Sequence, residues 1–152
     1  MNKALIFSSE KKFKKFEKEI KDKVLKVLKI LGENNALIEI YLIGDSEMRF
    51  LNRKFMRKDK PTDILSFKEP KKFPHPETEL CCLGEIYLDM LYIKKEAAAG
   101  QTVDYESLII KLLIHGALHL LGYSHGKKND RIKMEKKETY VYHRLRHRLG
   151  TN

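Results

Sequence analysis

The sequence predicts an α+β fold: a small mixed sheet of about four strands packed with several helices, one of them a buried central helix. Four short apolar or alternating runs, each bounded by Gly, Pro or polar turn residues, predict the strands. Five segments with helical patterning or helix punctuation predict the helices. The 152 residues hold no internal repeat and no low-complexity linker, so one domain spanning 1–152 is expected.

Residues 4–7 read as a short strand. From Glu10 to Leu31, apolar Phe13, Phe16, Ile20, Val24, Val27 and Leu31 recur at three and four with lysines between, an amphipathic helix closed by Gly32. ALIEIYLI at 36–43 is β-branched and mostly apolar, a buried strand ended by Gly44-Asp45. Asp45 or Ser46 caps a second helix through about Phe55, with Met48, Phe50 and Leu51 on it. Pro61 breaks that helix, and a short strand follows near 64–67. Residues 69–77 hold three of the four prolines and read as a loop. LGEIYLD at 83–89 alternates as a strand, and a short helix over 90–99 stops at Gly100. A long apolar helix covers about 104–121 and a charged one about 128–149.

Lys and Arg total 31 against 21 Asp and Glu, a formal charge of +10. That excess attracts polyanions, and nucleic acid is the first partner to consider. Many charges of both signs also suit adaptation to heat, so composition does not settle the matter. Cys81 and Cys82 are adjacent and unsuited to a disulfide scaffold. The N-terminal apolar run from Ala4 to Phe7 is too short for a signal core or a membrane span. A cytoplasmic protein without membrane contact is expected.

The chemistry concentrates in HGALHLLGYSH, residues 115–125. Between Leu108 and Leu121 the strongly polar residues are Lys111, His115 and His119, and steps of four place them on one narrow stripe. Histidines at i and i+4 stand one turn apart, close enough to share a transition-metal ion. Gly122 can reverse the chain in a left-handed conformation and return His125 as a third ligand. Three neutral imidazoles suit one Zn²⁺ per chain, with a fourth position open, and other divalent transition metals can also bind. The bland alternative is a pair of core histidines bonded to backbone or to Tyr123; three histidines in eleven residues weigh against it. His143 and His147 share the i, i+4 spacing, but Arg144, Arg146 and Arg148 surround them and oppose a dication.

The same ligand spacing occurs in metzincin proteases, where a glutamate after the first histidine acts as general base. Here Gly116 takes that place, and Glu85 and Asp89 are the unsupported substitutes. A phosphodiester substrate fits better, because a metal polarises a phosphoryl oxygen and RNA carries its own 2′-hydroxyl nucleophile. Residues 53–72 hold eight Lys or Arg against three acids, and residues 127–148 nine against three. Two basic runs flanking a metal helix favour an anionic polymer.

Together with LNRKFMRKDKPTDILSF at 51–67 and LGEIYLD at 83–89, the histidine segment resembles the YbeY rRNA maturation factors, bacterial metal-dependent endoribonucleases. The resemblance implies a metal held by His115, His119 and His125. It further implies single-strand-specific RNA cleavage in maturation of the 16S rRNA 3′ end and in ribosome quality control. Ribosomal RNA, the small ribosomal subunit and a ribosomal protein are the partners expected. Two positions depart from the family pattern. Ser124 stands where the family has Asp, which removes a charge next to a ligand. Met56 stands where the family has Arg, with Arg57 next. The catalytic residues expected are therefore Arg57, His115 and His119, and the RNA-binding residues Arg53, Arg57, Lys58 and Lys60. Thr62, Asp63 and Ser66 read at least as well as turn residues satisfying loop amides. Two other readings stand beside this one: a metal-dependent hydrolase of another substrate, and a non-catalytic ribosome-binding factor in which metal only stabilises the C-terminal half.

Overall fold

Residues 1–70, 79–100 and 104–148 are described by the computed structural model. Strand β1 (Lys3–Ser8) leads through a 3₁₀ turn (Lys11–Phe16) into helix α1 (Glu17–Ile30), and β2 (Ala36–Ile43) into α2 (Asp45–Met56). Strands β3 (Ile64–Lys68) and β4 (Cys81–Asp89) follow, then α3 (Met90–Ala99), α4 (Tyr105–Leu120) and α5 (Lys128–Arg148). The sheet order is β1-β2-β4-β3, parallel across β1, β2 and β4, with β3 antiparallel at the edge. This is the mixed four-stranded sheet of an α+β fold, as the sequence predicts.

Alternation along the strands divides the sheet into two faces. Ile38, Ile40, Leu42, Ile86 and Leu88 are buried in one core with Ile20, Val24 and Leu28 of α1 and Ile109 and Leu113 of α4. A second core, Ile110, Ile114, Ala117 and Leu118 of α4 against Met134, Val141 and Leu145 of α5, lies on the far side of α4. Helix α4 is thus enclosed by the sheet and α1 on one side and by α5 on the other. On the opposite sheet face, Met48 of α2 packs on Ile43 and Leu65.

The contact of α4 with the sheet is close at Gly116. A Cβ there would stand 2.8 Å from the end of Ile86, 3.0 Å from the end of Ile64 and 3.2 Å from the Ser66 hydroxyl. Gly84 marks a second constraint. The β2–β4 register slips between Leu37 and Ile38, making a bulge, and Gly84 takes φ +137° where a side chain would meet the Phe67 carbonyl.

Three details differ from the reading of the sequence. The segment from Glu10 to Leu31 is not one helix: KKFKKF is a 3₁₀ turn, and its apolar spacing of three suits three residues per turn. Gly44, not Asp45 or Ser46, is the N-cap of α2, and the Asp45 side chain bonds Lys95 at 3.2 Å instead. Strand β4 begins two residues earlier than predicted, at Cys81. Helix α3 ends at Gly100 as the sequence predicts, in extended backbone. Of the proline-rich loop predicted over 69–77, residues 71–77 lie outside the described residues, as does Leu149 at the predicted end of the last helix.

Alanine at 116 gains helix propensity of about 1 kcal/mol and needs two isoleucine ends and the Ser66 hydroxyl to shift slightly, so the effects nearly cancel. Gly116→Ala is expected within about 1 kcal/mol of wild type by chemical denaturation, and Gly116→Glu to lose about 3 kcal/mol or more by burying an unpaired charge. A fully stable Gly116→Glu protein would contradict this packing.

Candidate metal centre

Ten of the sixteen residues of α4 are buried, and beyond its first turn the polar residues are confined to the stripe of Lys111, His115 and His119. The helix ends as its glycine requires. Gly122 adopts φ +101°, its N–H donates to the His119 carbonyl, and Tyr123 N–H donates to the Leu118 carbonyl. The reversed chain delivers His125 to the other two. The His115 and His125 rings stack at 4.9 Å, and those of His119 and His125 lie 5.0 Å apart.

One ring nitrogen from each of the three histidines lies within 4.8 Å of the others. The Nε2 atoms of His115 and His119 are 3.1 Å apart. Two imidazoles on one tetrahedral Zn²⁺, at Zn–N distances near 2.0–2.1 Å, place their nitrogens about 3.3 Å apart. The His115–His119 pair therefore fits a shared ion, His125 stands close enough to close on it by a ring movement, and the donor set suits a transition metal. Burial, with His115 and His125 beside it, holds the His119 imidazole below its ordinary pKa, against a hydrogen bond to the Tyr123 backbone. Its neutral, ligating form is favoured.

Spacing in the sequence gave no sign of Glu138. From α5 its carboxylate approaches Nδ1 of His115 at 3.4 Å, leaving Nε2 to face His119. A carboxylate behind a histidine orients the ring and raises its basicity as a ligand. No motif links 138 to 115; only the packing of α5 on α4 does.

The other sequence candidates separate. Arg57 closes α2 in left-handed backbone at φ 56°, Lys58 N–H donates to the Asn52 carbonyl, and the Lys60 carbonyl accepts from the Asn52 side chain. Asp59 binds Arg49 at 2.8 Å and lies 3.9 Å from Arg53. These bonds pin the basic loop that leads into β3, the strand against Gly116. Among the described residues, none of Arg53, Arg57, Lys58 and Lys60 bonds a histidine directly. Ser66 faces α4 at Gly116, while Asp63 lies beside Thr62 and Glu96 and accepts the Asp89 N–H through its carbonyl. His143 and His147 are both exposed, in keeping with a basic surface face.

Glu85 and Asp89 do not replace the missing base. Ile86 faces α4, so its neighbours in the strand point to the opposite face, where Glu85 accepts from the Tyr87 hydroxyl at 2.7 Å. Asp89 is fully buried and caps α3, accepting from Leu91 and Tyr92 N–H. Its second oxygen is turned to Asp45, and burial with that neighbour pushes the Asp89 carboxyl up to about 7.

Fold and site together define an α+β protein whose central helix presents a three-histidine group able to hold a metal ion. A model of the family described as Endoribonuclease YbeY matches residues 3–146, and the chain belongs to that family. The Endoribonuclease YbeY of Persephonella marina is 42% identical over 97 residues, 64% of this chain and 61% of that protein, so the alignment spans less than two thirds of its length. That of Aquifex aeolicus is 35% identical over 117 residues, 76% of this chain and 74% of that protein. The solution structure of TM1509 from Thermotoga maritima is similar throughout, with a TM-score of 0.64 at 25% identity over 98% of this chain and 93% of that one.

Glu138→Gln is expected to weaken metal affinity about 10- to 100-fold in a competition titration with a chromogenic chelator; unchanged affinity would remove Glu138 from the site. The Asp89 carboxyl, raised above its ordinary 3.8, favours the fold fully below that value and loses this contribution as pH rises through about 7. Asp89→Asn keeps an oxygen for the cap and abolishes the charge. Its stability relative to wild type should therefore improve by on the order of 2 kcal/mol between pH 4 and pH 8. A difference independent of pH would show that the Asp89 carboxyl is not raised in the fold.

Proposed function

We propose that this protein is a zinc-dependent, single-strand-specific endoribonuclease acting in the cytoplasm on the 3′ end of 16S rRNA, in maturation and in ribosome quality control. The observation that supports this reading most directly is the three-histidine group, with Nε2 atoms 3.1 Å apart on a helix whose next residue has no room for a glutamate. His115, His119 and His125 would hold the ion. A bound dication supplies Lewis-acid polarisation of a phosphoryl oxygen and lowers the pKa of water.

The protein's own residues do the rest. Glu138 fixes the His115 ring, and the Gly122 turn sets the distance of His125. Arg57 and Arg53, with Lys58 and Lys60, bind phosphates along the pinned loop, so that the scissile linkage enters beside β3. RNA suits this site because its 2′-hydroxyl is an internal nucleophile. Family membership supports the activity, and the small ribosomal subunit with a ribosomal protein completes the proposed set of partners. No described helix is long and apolar enough to cross a membrane.

The decisive experiment is cleavage of a single-stranded RNA carrying the small-subunit 3′ end, before and after chelation, after zinc readdition, and in His119→Ala. Cleavage should vanish with chelator and in the variant, whose metal content should fall well below one per chain, and zinc should restore only the wild type. Equal cleavage in every sample would overturn the proposal. Arg57→Ala should reduce the slope of log K against log salt by about one, and an unchanged slope would remove Arg57 from the phosphate contacts.

A further inference from the structure

Helix α2 carries exposed aromatic side chains that the proposed cleavage site does not use. Phe50, Phe55 and Met56 are 50, 53 and 52% exposed, on the last two turns of one helix. Cations stand over the rings. Lys54 Nζ lies 5.8 Å from the Phe50 ring and 5.4 Å from the Phe55 ring, and the Arg53 guanidinium 6.0 Å from Phe50. The aromatics continue onto the sheet: Phe55 meets Phe67 edge-on at 5.1 Å, and Phe67 meets Tyr87 at 5.7 Å. Between Phe50 and Tyr87 a cleft of about 350 Å³ opens, walled also by Ile43, Ser46, Glu47 and Leu51.

We infer that Phe50 and Phe55, bridged by Lys54, form a base-stacking platform that holds single-stranded RNA on α2. This rests on the endoribonuclease reading and adds to it the residues that read single-strandedness. Charge decides the occupant. An apolar surface alone would suit a protein, but here Arg53, Lys54, Arg57 and Lys58 are interleaved with the rings, the combination that stacks bases while neutralising phosphates. Charge also limits the platform. Glu47 in the cleft, and farther along the sheet Glu39 and Glu85, which accept from Tyr41 and Tyr87, are carboxylates that oppose a phosphate chain. The bound strand is therefore confined to the α2 end, next to the loop and β3 that lead to the histidines. Paired bases hide the faces such a platform needs, so duplex RNA is refused there.

Binding of a 2′-O-methyl single-stranded oligonucleotide containing 2-aminopurine tests this without cleavage. Stacking should change its fluorescence on wild-type protein. Phe50→Leu/Phe55→Leu, substituted at half-exposed positions and checked for an unchanged thermal midpoint, should bind about 10-fold or more weakly and lose the fluorescence change, with the salt slope kept. Lys54→Ala should keep the fluorescence change and lower the slope by about one. Wild-type affinity and fluorescence in the Phe variant would overturn the inference and assign the patch to a protein partner, while the endoribonuclease reading stood. Failure of the wild type itself to bind RNA would overturn both.

Discussion

Helix α4 is pressed against the sheet at residue 116, where no long side chain fits. At that point the ends of Ile64, Ile86 and Ser66 crowd the space beyond the glycine, so a methyl is met only by side-chain ends that can give way while anything larger is excluded. The rotation of α4 about its axis follows from this contact. With Gly116 turned to the sheet and Ile110, Ile114 and Ala117 turned to α5, the stripe of Lys111, His115 and His119 faces outward along the seam between layers. A glutamate after the first histidine, the base a peptidase would use, is sterically barred by the same contact.

Helix α5 serves two purposes through one face. Met134, Val141 and Leu145 close the core over α4, and Glu138, one turn from Met134, reaches His115 from the same side. The hydrophobic packing thereby sets the position of the carboxylate, and the histidine's orientation depends on burial several residues away. A substitution at Met134 that shifted α5 would act on the site as well as on stability.

Much of this was legible in the sequence because it depends on local pattern. Strand and helix positions follow from periods of two and of three to four, and His125 could be placed from Gly122 alone. What was missed depends on contacts between distant segments. Glu138 meets His115 across 23 residues, Asp45 meets Asp89 only when β2 and β4 pair, and Phe55 meets Phe67 only when α2 lies on the sheet. The 3₁₀ turn at Lys11–Phe16 was missed for another reason: apolar spacings of three occur in both helix types, and the ladder distinguishes them. The bulge at Gly84 left only an isolated glycine within a strand pattern as its sign.

All three histidines lie within eleven consecutive residues, on the last two turns of α4 and just past the reversal at Gly122. Gathering them closes a very short loop, which costs little chain entropy, and requires neither the sheet pairing nor the docking of α5. Among the contacts that build this molecule, those of the histidine segment are therefore among the quickest to form, whereas the β2–β4 ladder joins residues about 45 apart and forms slowly. An ion captured by the nascent segment would prepay part of the order that α4 must acquire, making the metal a participant in folding before it serves the finished protein.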